Sequence, residues 1–397
     1  MKNKKLTIVI SHPIQYHAPL YRVIQKSEKI DLHVIFLNDK GCRTFFDKLA
    51  NSYVKYDNDL LSGYSYEFMT EGEPQNWREI WKRIIQIKLA DRILASKPDA
   101  VYFHGYSNFA FILASKKIIK SNINILLRGE NEDVIKRIWW KNLIREIFIK
   151  YIFAKINGFL YIGKANKDFY LRRGIKEEKL HFVPYSADNE YFGINVLDEY
   201  RLKLRTIICD EYGVKKNGVI FINTCKHRNE KRPMDLINSF IKASKNLMLA
   251  PDCTLFMVGD GPLNAEMREA VKNAGVTNII WTGFVNQTKM RDLLIASDYC
   301  INPGEEPWGC VFNEALPAGL GLISSDRIVG WPDMVKIGKN GFIYRCGCEK
   351  SLAAILSQCS KNPYWIKEFR IESKKIASEY SYEKCVSGLV SALNSVC

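Results

Sequence analysis

The sequence predicts an α/β fold with two domains, each a parallel β-sheet covered by helices. Short apolar runs alternate with amphipathic stretches along the chain, and this alternation is typical of repeated strand–helix units. The 397 residues are enough for two domains with separate cores, and the hydrophobic fraction of 47% is ordinary for a folded protein. We therefore expect two Rossmann-like domains.

The predicted elements alternate between strands and helices in both halves of the chain. In the first half we expect strands at Leu6–Ile10, His33–Leu37, Ala100–Phe103, Ile123–Leu127, Phe159–Ile162 and Leu180–Val183. Helices are expected between them at 78–96, 107–120, 136–155 and 164–173. The second half repeats the pattern, with strands near Val219–Asn223, Thr254–Val258, Ile279–Trp281 and Tyr299–Ile301 and helices near 233–246, 262–274 and 286–296. A final helix is predicted from Tyr382 to Leu393.

The boundary between the domains is expected within 190–217, where Asp, Asn, Lys and Gly concentrate. The predicted division is a first domain at 1–192, a linker at 193–217, a second domain at 218–378 and a C-terminal helical segment at 379–397.

Charge and cysteine content limit the class of protein. Residues 1–192 hold 32 Lys and Arg against 21 Asp and Glu, a net charge of +11, whereas residues 193–397 hold 26 against 22, a net charge of +4. This excess indicates an anionic partner for the first half: a membrane, a lipid-linked phosphate or nucleic acid. The eleven cysteines lack paired spacing, so neither a disulfide framework nor a zinc site is predicted, and a reducing cytoplasm is expected. No window approaches the about 18 consecutive apolar residues of a membrane span.

The most informative segment is Glu305–Ala315, which places Glu306 and Glu314 eight positions apart across a Pro/Gly loop. The loop opens into an apolar run, and the backbone N–H groups at the start of a helix favour phosphate oxygens. A carboxylate one turn into that helix can accept hydrogen bonds from neighbouring sugar hydroxyls. Such a segment can hold the diphosphate, the ribose and the sugar of a nucleotide-sugar.

This segment resembles the E-x7-E element of the retaining glycosyltransferases of family four. The resemblance implies the GT-B fold, in which two Rossmann-like domains face each other across a cleft and the last helix crosses back to the first domain. Three more segments are similar to the family's motifs: Phe221–Pro233 to its Gly-Arg-Leu-x3-Lys-Gly pattern, Gly259–Pro262 to its Gly-x-Gly-Pro turn, and Gly283-Phe284-Val285 to its Gly-Phe/Tyr-Val strand end. In the first of these, Cys225 and Arg232 replace the two glycines.

The resemblance implies a nucleotide-sugar site in the second domain. Lys226 and Lys231 match the family's Arg and Lys positions and would stabilise the leaving diphosphate, while Glu306 would hold hydroxyls of the transferred sugar. Glu314 would bind the ribose hydroxyls. The remaining expected donor contacts are Gly259, Gly261, Phe284, Val285, Trp308, Gly309, Cys310 and Val311.

The first domain is expected to bind the acceptor. His12, Gln15 and Tyr16 follow the first predicted strand and suit the recognition of hydroxyl groups; a similar His-Pro-x-Gln-Tyr segment opens some bacterial transferases of family four. Alternatively, His12 caps the next helix and His17 lies on the surface. His104 resembles a catalytic-site histidine that faces the donor sugar in the family.

Two further features of the first half complete its expected functions. Arg128 and Glu130 form another polar strand end that we assign to the acceptor site. Residues 136–155 combine basic and aromatic side chains, with Arg137, Lys141 and Arg145 in one predicted helical stripe. This composition suits a helix lying on an anionic membrane, although an ordinary helix packed on the sheet with a solvated edge has the same pattern.

Together these features predict a cytoplasmic retaining glycosyltransferase, peripheral on the inner face of the cell membrane, that uses a UDP- or GDP-linked sugar. Its acceptor is expected to be a hydroxyl of a glycan or lipid-linked glycan in the biosynthesis of bacterial surface polysaccharide or lipopolysaccharide. The one Asp-x-Asp segment, Asp57–Asp59, has the composition of a turn, so no metal cofactor is expected. An epimerase of similar fold, an inverting enzyme with His12 or His104 as general base, and a basic nucleic-acid-binding protein remain alternatives; nucleic acid is not the expected partner.

Overall fold

Two parallel β-sheets, one in each unit, organise the fold in the computed structural model. The structure describes residues 3–47, 52–70, 89–105, 109–130, 133, 139–246 and 248–397. Unit 1 comprises Met1–Phe45, Asn58–Tyr185 and Tyr382–Cys397, and unit 2 comprises Phe46–Asp57 and Ser186–Ser381. Parts of three predicted helices, 78–88, 107–108 and 136–138, lie outside the described residues.

The sheet of unit 1 has seven parallel strands in the order β5-β2-β1-β6-β7-β8-β9. Its strands are β1 (Lys4–Ile10), β2 (Ile30–Phe36), β5 (Ser65–Phe68), β6 (Ala100–His104), β7 (Asn124–Arg128), β8 (Gly158–Tyr161) and β9 (Leu180–Phe182). Its described helices are α1 (His17–Lys26), α2 (Leu89–Ala95), α3 (Phe109–Lys120), α4 (Trp139–Phe153) and α5 (Lys164–Leu171). The short strands β3 (Phe45–Asp47) and β4 (Ser52–Val54) pair with each other.

The sheet of unit 2 has six parallel strands in the order β12-β11-β10-β13-β14-β15. Its strands are β10 (Ile220–Thr224), β11 (Thr254–Val258), β12 (Ile279–Gly283), β13 (Tyr299–Asn302), β14 (Gly321–Ser325) and β15 (Gly341–Tyr344). Its helices are α6 (Asp198–Tyr212), α7 (Pro233–Lys245), α8 (Asn264–Ala274), α9 (Gln287–Ala296), α10 (Val311–Ala315), α11 (Trp331–Met334), α12 (Glu349–Lys361) and α13 (Tyr364–Glu379).

Both sheets confirm the predicted α/β class, and their central strands are continuous apolar runs because helices cover both faces. The elements α12, α13 and β15 fill a region that the sequence analysis left unassigned. The segment predicted as a linker contains α6, whose Arg201 and Arg205 form ion pairs of 2.8 and 3.0 Å with the buried carboxylate of Asp298. The division between the units falls after Tyr185 and after Ser381, a little before the predicted end at 192 and after the predicted end at 378.

The last helix, α14 (Tyr382–Val396), belongs to unit 1, as the fold prediction requires. Its apolar face, which includes Leu389 and Leu393, joins the core formed by β1, β2 and α1. Gly388 makes the close approach to the sheet possible, because a Cβ atom at this position would lie 1.9 Å from the carbonyl oxygen of Phe182. None of the described helices combines the length and the apolar character that a membrane crossing requires.

Candidate active site

An ion pair at the carboxyl edge of the unit 2 sheet joins Lys231 to Glu306. The Lys231 ammonium lies 2.7 Å from the Oε1 atom of Glu306. The side chain of Asn302, the last residue of β13, donates a hydrogen bond of 3.0 Å from Nδ2 to the same oxygen. Its own Oδ1 atom accepts a hydrogen bond from the backbone N–H of Gly304. Two of the predicted catalytic residues, Lys231 and Glu306, are therefore in contact. The buried side-chain amide of Asn302 also binds the Glu306 carboxylate and fixes its position.

Backbone contacts hold the loops of Lys231 and Glu306 against each other. The N–H of Glu305 donates to the carbonyl oxygen of Glu230 at 3.0 Å. A Cβ atom on Gly304 would lie 3.1 Å from both this oxygen and the Cα atom of Lys231, so the two chains pass at van der Waals distance. The relation between the basic and acidic loops is thus fixed by main-chain atoms, not only by long flexible side chains.

Arg232 occupies a left-handed backbone conformation, with φ of 49°, immediately after the 3-10 turn Asn229–Lys231. This is the position where the resembling motif has glycine, which adopts positive φ without steric cost. The guanidinium is anchored by Asp235, at 2.7 Å from Nε, and lies 3.6 Å from the carboxylate of Glu305. The loop therefore keeps a turn suited to glycine, and ion pairs to both sides compensate for the less favourable residue.

Gly259 and Gly261 position the basic loop against the end of β11. A Cβ atom would lie 1.9 Å from the carbonyl oxygen of Cys225 if placed on Gly259, and 2.5 Å from that of His227 if placed on Gly261. The N–H of His227 also donates to the carbonyl oxygen of Asp260 at 2.9 Å. These two predicted donor-site glycines are required for packing between loops.

Glu314 lies in the short helix α10, where its side chain is 5% exposed. Burial raises the pKa of this carboxyl group to about 8, because the charged form loses its hydration. The two glutamates of the motif therefore differ: Glu306 meets a lysine, whereas Glu314 is held in an apolar setting. A ligand that supplies hydrogen-bond donors to Glu314 would stabilise its ionised form.

The residues between the two glutamates turn the chain into α10. Trp308 points into unit 2: its indole donates a 2.7 Å hydrogen bond to Asn313, and its ring lies 5.9 Å from that of Tyr380. Gly309 has φ of 93°, Cys310 is the N-terminal cap and Val311 is the first helical residue. The Trp308 side chain is thus structural, which leaves the backbone of this turn as the part that can meet a ligand.

The other predicted donor residues lie at neighbouring strand ends. Lys226 is half-buried in the loop after β10. Phe284, 41% exposed, and the half-buried Val285 follow β12. Because β10, β11, β12 and β13 are adjacent parallel strands, their carboxyl ends meet at one edge of the sheet. All predicted residues of the second domain therefore belong to this edge.

The first part of the predicted acceptor site follows β1. His12 accepts or donates a 2.9 Å hydrogen bond with Ser11, and burial and the charge of Lys40 lower its pKa to about 4. Gln15 and Tyr16 are half-buried, and Tyr16 is the N-terminal cap of α1. Neither part of the alternative interpretation holds, since His12 does not cap the helix and His17 is buried.

Three basic side chains cluster at the carboxyl edge of the unit 1 sheet. The rings of His17 and His104 lie 4.8 Å apart, and both histidines are acted on by the charge of Arg128. Burial, followed by this charge, lowers the pKa of His17 to about 3; burial and the neighbouring His17 hold the pKa of His104 well below its usual range. Both imidazoles are therefore neutral at physiological pH.

Arg128 is 1% exposed, stacks 4.4 Å above the ring of Tyr185 and donates from Nη2 to the carbonyl oxygen of Pro184. The Tyr185 hydroxyl in turn donates to the exposed Glu130. The predicted direct contact of Arg128 with an acceptor does not match this burial, because its guanidinium lies beneath the edge. Glu130 and His104 remain the more accessible members of the set.

Sequence reasoning missed Asn302 and Tyr185. Asn302 ends a buried strand directly before the acidic loop, and a polar residue at the carboxyl end of an apolar strand is a recognisable signal. Tyr185 has a similar position after β9. Neither belongs to the motifs on which the resemblance was based.

The Asp57–Asp59 segment forms local and loop contacts. Asp59 accepts hydrogen bonds from the N–H groups of Leu61 and Ser62, and the hydroxyl of Ser62, followed by these N–H groups, lowers its pKa to about 2. Asp57 accepts a 3.0 Å hydrogen bond from the Thr288 hydroxyl. Within the described part of the chain, no group of three or more His, Cys, Asp or Glu side chains is arranged to hold a metal ion.

Comparison with known proteins identifies relatives of the second half of the chain in sequence and of the whole chain in fold. Residues 205–384 match the family model described as glycosyl transferases group 1. A stretch of 157 residues is 29% identical to the N-acetyl-alpha-D-glucosaminyl L-malate synthase of Bacillus anthracis; it covers 38% of this chain and only about two fifths, 39%, of that protein's length.

Solved structures match the whole chain. A glycosyltransferase from Rickettsia africae has a TM-score of 0.74 at 15% identity, covering 100% of this chain and 99% of the other. Anabaena HepE, solved in complex with UDP and glucose, has a TM-score of 0.70 at 14% identity, covering 99% and 100%. The resemblance to family-four transferases is confirmed over residues 205–384, which match the glycosyl transferases group 1 model, and the chain has the two-domain GT-B fold.

Proposed function

We propose that this protein is a retaining glycosyltransferase that moves a sugar from a UDP- or GDP-linked donor to a hydroxyl group. The observation that carries the proposal is the contact of Lys231 with Glu306, whose loops are joined by a backbone hydrogen bond, together with the burial of Glu314 in the helix that follows. A cation and two carboxylates at these positions support the roles proposed for them in binding the diphosphate, the sugar and the ribose. The match to HepE, solved with UDP and glucose, supports a nucleotide-sugar as the donor.

Lys231 and Lys226 are proposed to bind the diphosphate of the donor. As the glycosidic bond breaks, the diphosphate gains negative charge, and preorganised ammonium groups stabilise it most in the transition state. The Lys231 ammonium lies on a carboxylate in the structure, so diphosphate binding would exchange one anionic partner for another. Two lysines can neutralise the leaving group without a cation from solution, and we propose that no metal is needed.

The reaction is proposed to take place on one face of the sugar. The acceptor oxygen forms the new bond to the anomeric carbon on the side from which the diphosphate departs, and a phosphate oxygen takes the acceptor proton. Glu306 would hold sugar hydroxyls, Glu314 the ribose, and the backbone at Phe284 and Val285 the base. His104 would contact the sugar, and His12, Gln15, Tyr16 and Glu130 the acceptor.

The acceptor is proposed to be a glycan or lipid-linked glycan of bacterial surface polysaccharide synthesis, which places the enzyme in the cytoplasm. The excess positive charge of residues 1–192 supports a partner that carries phosphate.

A donor screen tests the proposal directly. The full-length protein is incubated with a panel of UDP- and GDP-linked sugars, with and without glycan acceptors, and the products are identified by mass spectrometry. Transfer with retention of the anomeric configuration, read by NMR, is expected. Isomerised donor without transfer would identify an epimerase, and inversion would exclude the front-face reaction. Activity that EDTA abolishes and Mn²⁺ restores would contradict the proposed metal independence.

A further inference from the structure

Helix α4 exposes an apolar face to solvent. Leu143, Ile144 and Ile147 are 58%, 62% and 64% exposed, and the aromatic rings of Phe148 and Tyr151 are 37% and 49% exposed. At about 100° per residue these five side chains cover an arc of roughly 140° on one side of the helix. Large aliphatic residues this exposed, contiguous on one helix face, usually mark an interaction surface.

The opposite face of α4 already forms part of the core of unit 1. Ile149, Ile152 and Phe153 are buried there, together with Phe159 and Phe169. A helix of a soluble domain normally needs one apolar face, so the outer face of α4 is not required by the packing of the unit. A second, external partner explains the extra apolar surface.

The cationic stripe expected from the sequence is not this surface. Arg145, its last member, lies over the ring of Phe169 at 5.3 Å and within 3.7 Å of the carboxylates of Asp133 and Glu146. Arg137 and the side chain of Lys141 lie outside the described residues. The predicted electrostatic stripe is therefore wrong at Arg145, which serves an internal ion-pair network.

Lysines border the apolar face. Lys150 is exposed beside the face, and Lys155, two residues after the end of α4, has its ammonium 3.5 Å from the ring centre of Tyr151. A hydrogen bond from Lys155 and the charge of Lys116 on α3 lower the pKa of the Tyr151 hydroxyl. Glu146 is the one acidic residue of 143–155, and it forms an ion pair with Arg173. The border of the face is thus positive.

We propose that this face of α4 binds the surface of an anionic lipid bilayer, with the helix axis parallel to the membrane plane. The aliphatic side chains would enter the boundary between headgroups and acyl chains, and Lys150, Lys155 and Lys116 would meet phosphate groups. A second copy of the same face is a poorer partner, because two-fold pairing would bring lysine borders together. Membrane binding of this kind does not depend on the transfer reaction.

Vesicle flotation with the full-length protein tests the proposal, using vesicles of phosphatidylcholine alone and of phosphatidylcholine with phosphatidylglycerol. The chain offers a matched pair of double variants. Leu143→Ser with Ile147→Ser removes two residues of the face; Leu202→Ser with Ile207→Ser removes the same residue types, 59% and 53% exposed, from helix α6 of unit 2. Because all four side chains are exposed, thermal melting should confirm that both variants stay folded.

The wild type is expected to float with the anionic vesicles at low ionic strength. The Leu143/Ile147 variant should lose at least about tenfold in partition coefficient, and the Leu202/Ile207 variant should keep the wild-type value. The double variant Lys150→Gln with Lys155→Gln should bind anionic vesicles about tenfold more weakly than the wild type. Its binding to neutral vesicles should be unchanged. Absence of wild-type binding, or equal binding by both apolar variants, would overturn the proposal. Wild-type dimers that dissociate in the Leu143/Ile147 variant, without vesicle binding, would instead identify a self-association surface and also overturn it.

Discussion

The carboxyl edges of the two sheets accommodate their ionisable side chains in opposite ways. In unit 2, Lys231 meets Glu306 and Arg232 meets Asp235, so oppositely charged side chains are paired. In unit 1, the buried His17 and the half-buried His104 lie beside Arg128, and desolvation, followed by neighbouring basic groups, lowers the pKa of both histidines and keeps them neutral. An edge with paired ions can exchange a partner for a diphosphate, whereas an edge of neutral imidazoles is suited to hydroxyl groups, which need both donors and acceptors.

Two buried groups, Glu314 in unit 2 and His17 in unit 1, give the two units opposite responses to pH. The folded pKa of Glu314, about 8, lies above its usual 4.5, so the folded state holds its proton more tightly and stability is lost as pH rises from 4.5 to 8. The folded pKa of His17, about 3, lies below its usual 6.5, so stability is lost as pH falls from 6.5 towards 3. Substitutions on each edge can therefore be distinguished by the direction of their pH dependence.

The largest effect is expected from Lys231→Ala, which removes the cation paired with Glu306. Loss of one transition-state donor should lower kcat by about ten- to a thousandfold. Lys289→Ala is a matched control, because Lys289 is equally exposed, at 31% against 30%, and is also paired with a glutamate. Steady-state kinetics with the donor found in the screen give the answer, and an unchanged kcat/KM for Lys231→Ala would refute its assignment.

Asn302→Asp sharpens the comparison by placing a second carboxylate against Glu306. In the wild type, the Asn302 amide donates a 3.0 Å hydrogen bond from Nδ2 to Glu306 Oε1. Replacing this N–H donor by a carboxylate oxygen should displace the Glu306 carboxylate and lower kcat by about tenfold. Asn340→Asp also removes a buried amide donor, here to the carbonyl oxygen of Met334, and serves as the control. Both variants should melt at lower temperature, but only Asn302→Asp should change kcat. An equal kinetic loss in both would mean that Asn302 has a purely structural role.

Glu314→Gln tests the buried carboxylate through binding and through pH. Calorimetry should show binding of the free nucleotide weakened by about tenfold, as expected for the loss of a charged hydrogen-bond acceptor. Urea unfolding should show that the wild type loses free energy of unfolding between pH 5 and pH 8, by up to about 1.4 kcal/mol per pH unit, and that the variant loses less. Glu305→Gln, at an exposed carboxylate, should behave as the wild type. A variant as pH-dependent as the wild type would contradict the raised pKa.

The smallest effect is expected on the edge of unit 1. Between pH 6.5 and pH 5.5, His17→Gln should lose less free energy of unfolding than the wild type, by about 1 kcal/mol, since its side chain no longer binds a proton on unfolding. Urea unfolding at these two pH values measures the difference. His33→Gln, at a half-buried histidine on β2 that bonds to Ser65, provides the comparison. If the pH dependence of His17→Gln equals that of the wild type, His17 is not held neutral in the folded state.

The sequence predicted unit 2 better than unit 1, for a physical reason. The candidate ligand-binding residues of unit 2 come from short contiguous loops, so the resemblance to the family's motifs singles out Lys231, Glu306 and Glu314. The unit 1 cluster of His17, His104, Arg128 and Tyr185 draws on four strand ends far apart in the chain, and only the sheet order brings them together. The burial of Arg128, like the inward turn of Arg145, depends on packing against rings that no local pattern reveals.

Among the strands and helices, the alternating apolar runs were sufficient for most of both sheets. The short strand β15 was missed because four residues carry little periodicity, and α6 was taken as a linker because two arginines interrupt the apolar residues Leu204, Ile208 and Cys209 of its buried face. Arg201 and Arg205 are buried like core residues because both form ion pairs with the buried Asp298. A hydropathy pattern does not predict the burial of charged residues of this kind.

The close packing of α14 against Phe182 at Gly388 has a consequence for folding during synthesis. Leu389 and Leu393 belong to a core whose members outside α14 all precede residue 186, so a ribosome must translate residues 186–381 of unit 2 before that core can close. Until α14 is synthesised, the sheet of unit 1 exposes the apolar surface that α14 will cover. Unit 2, most of which is synthesised later, is therefore the first unit that can complete its folding. The order of maturation in this chain is the reverse of its order of synthesis.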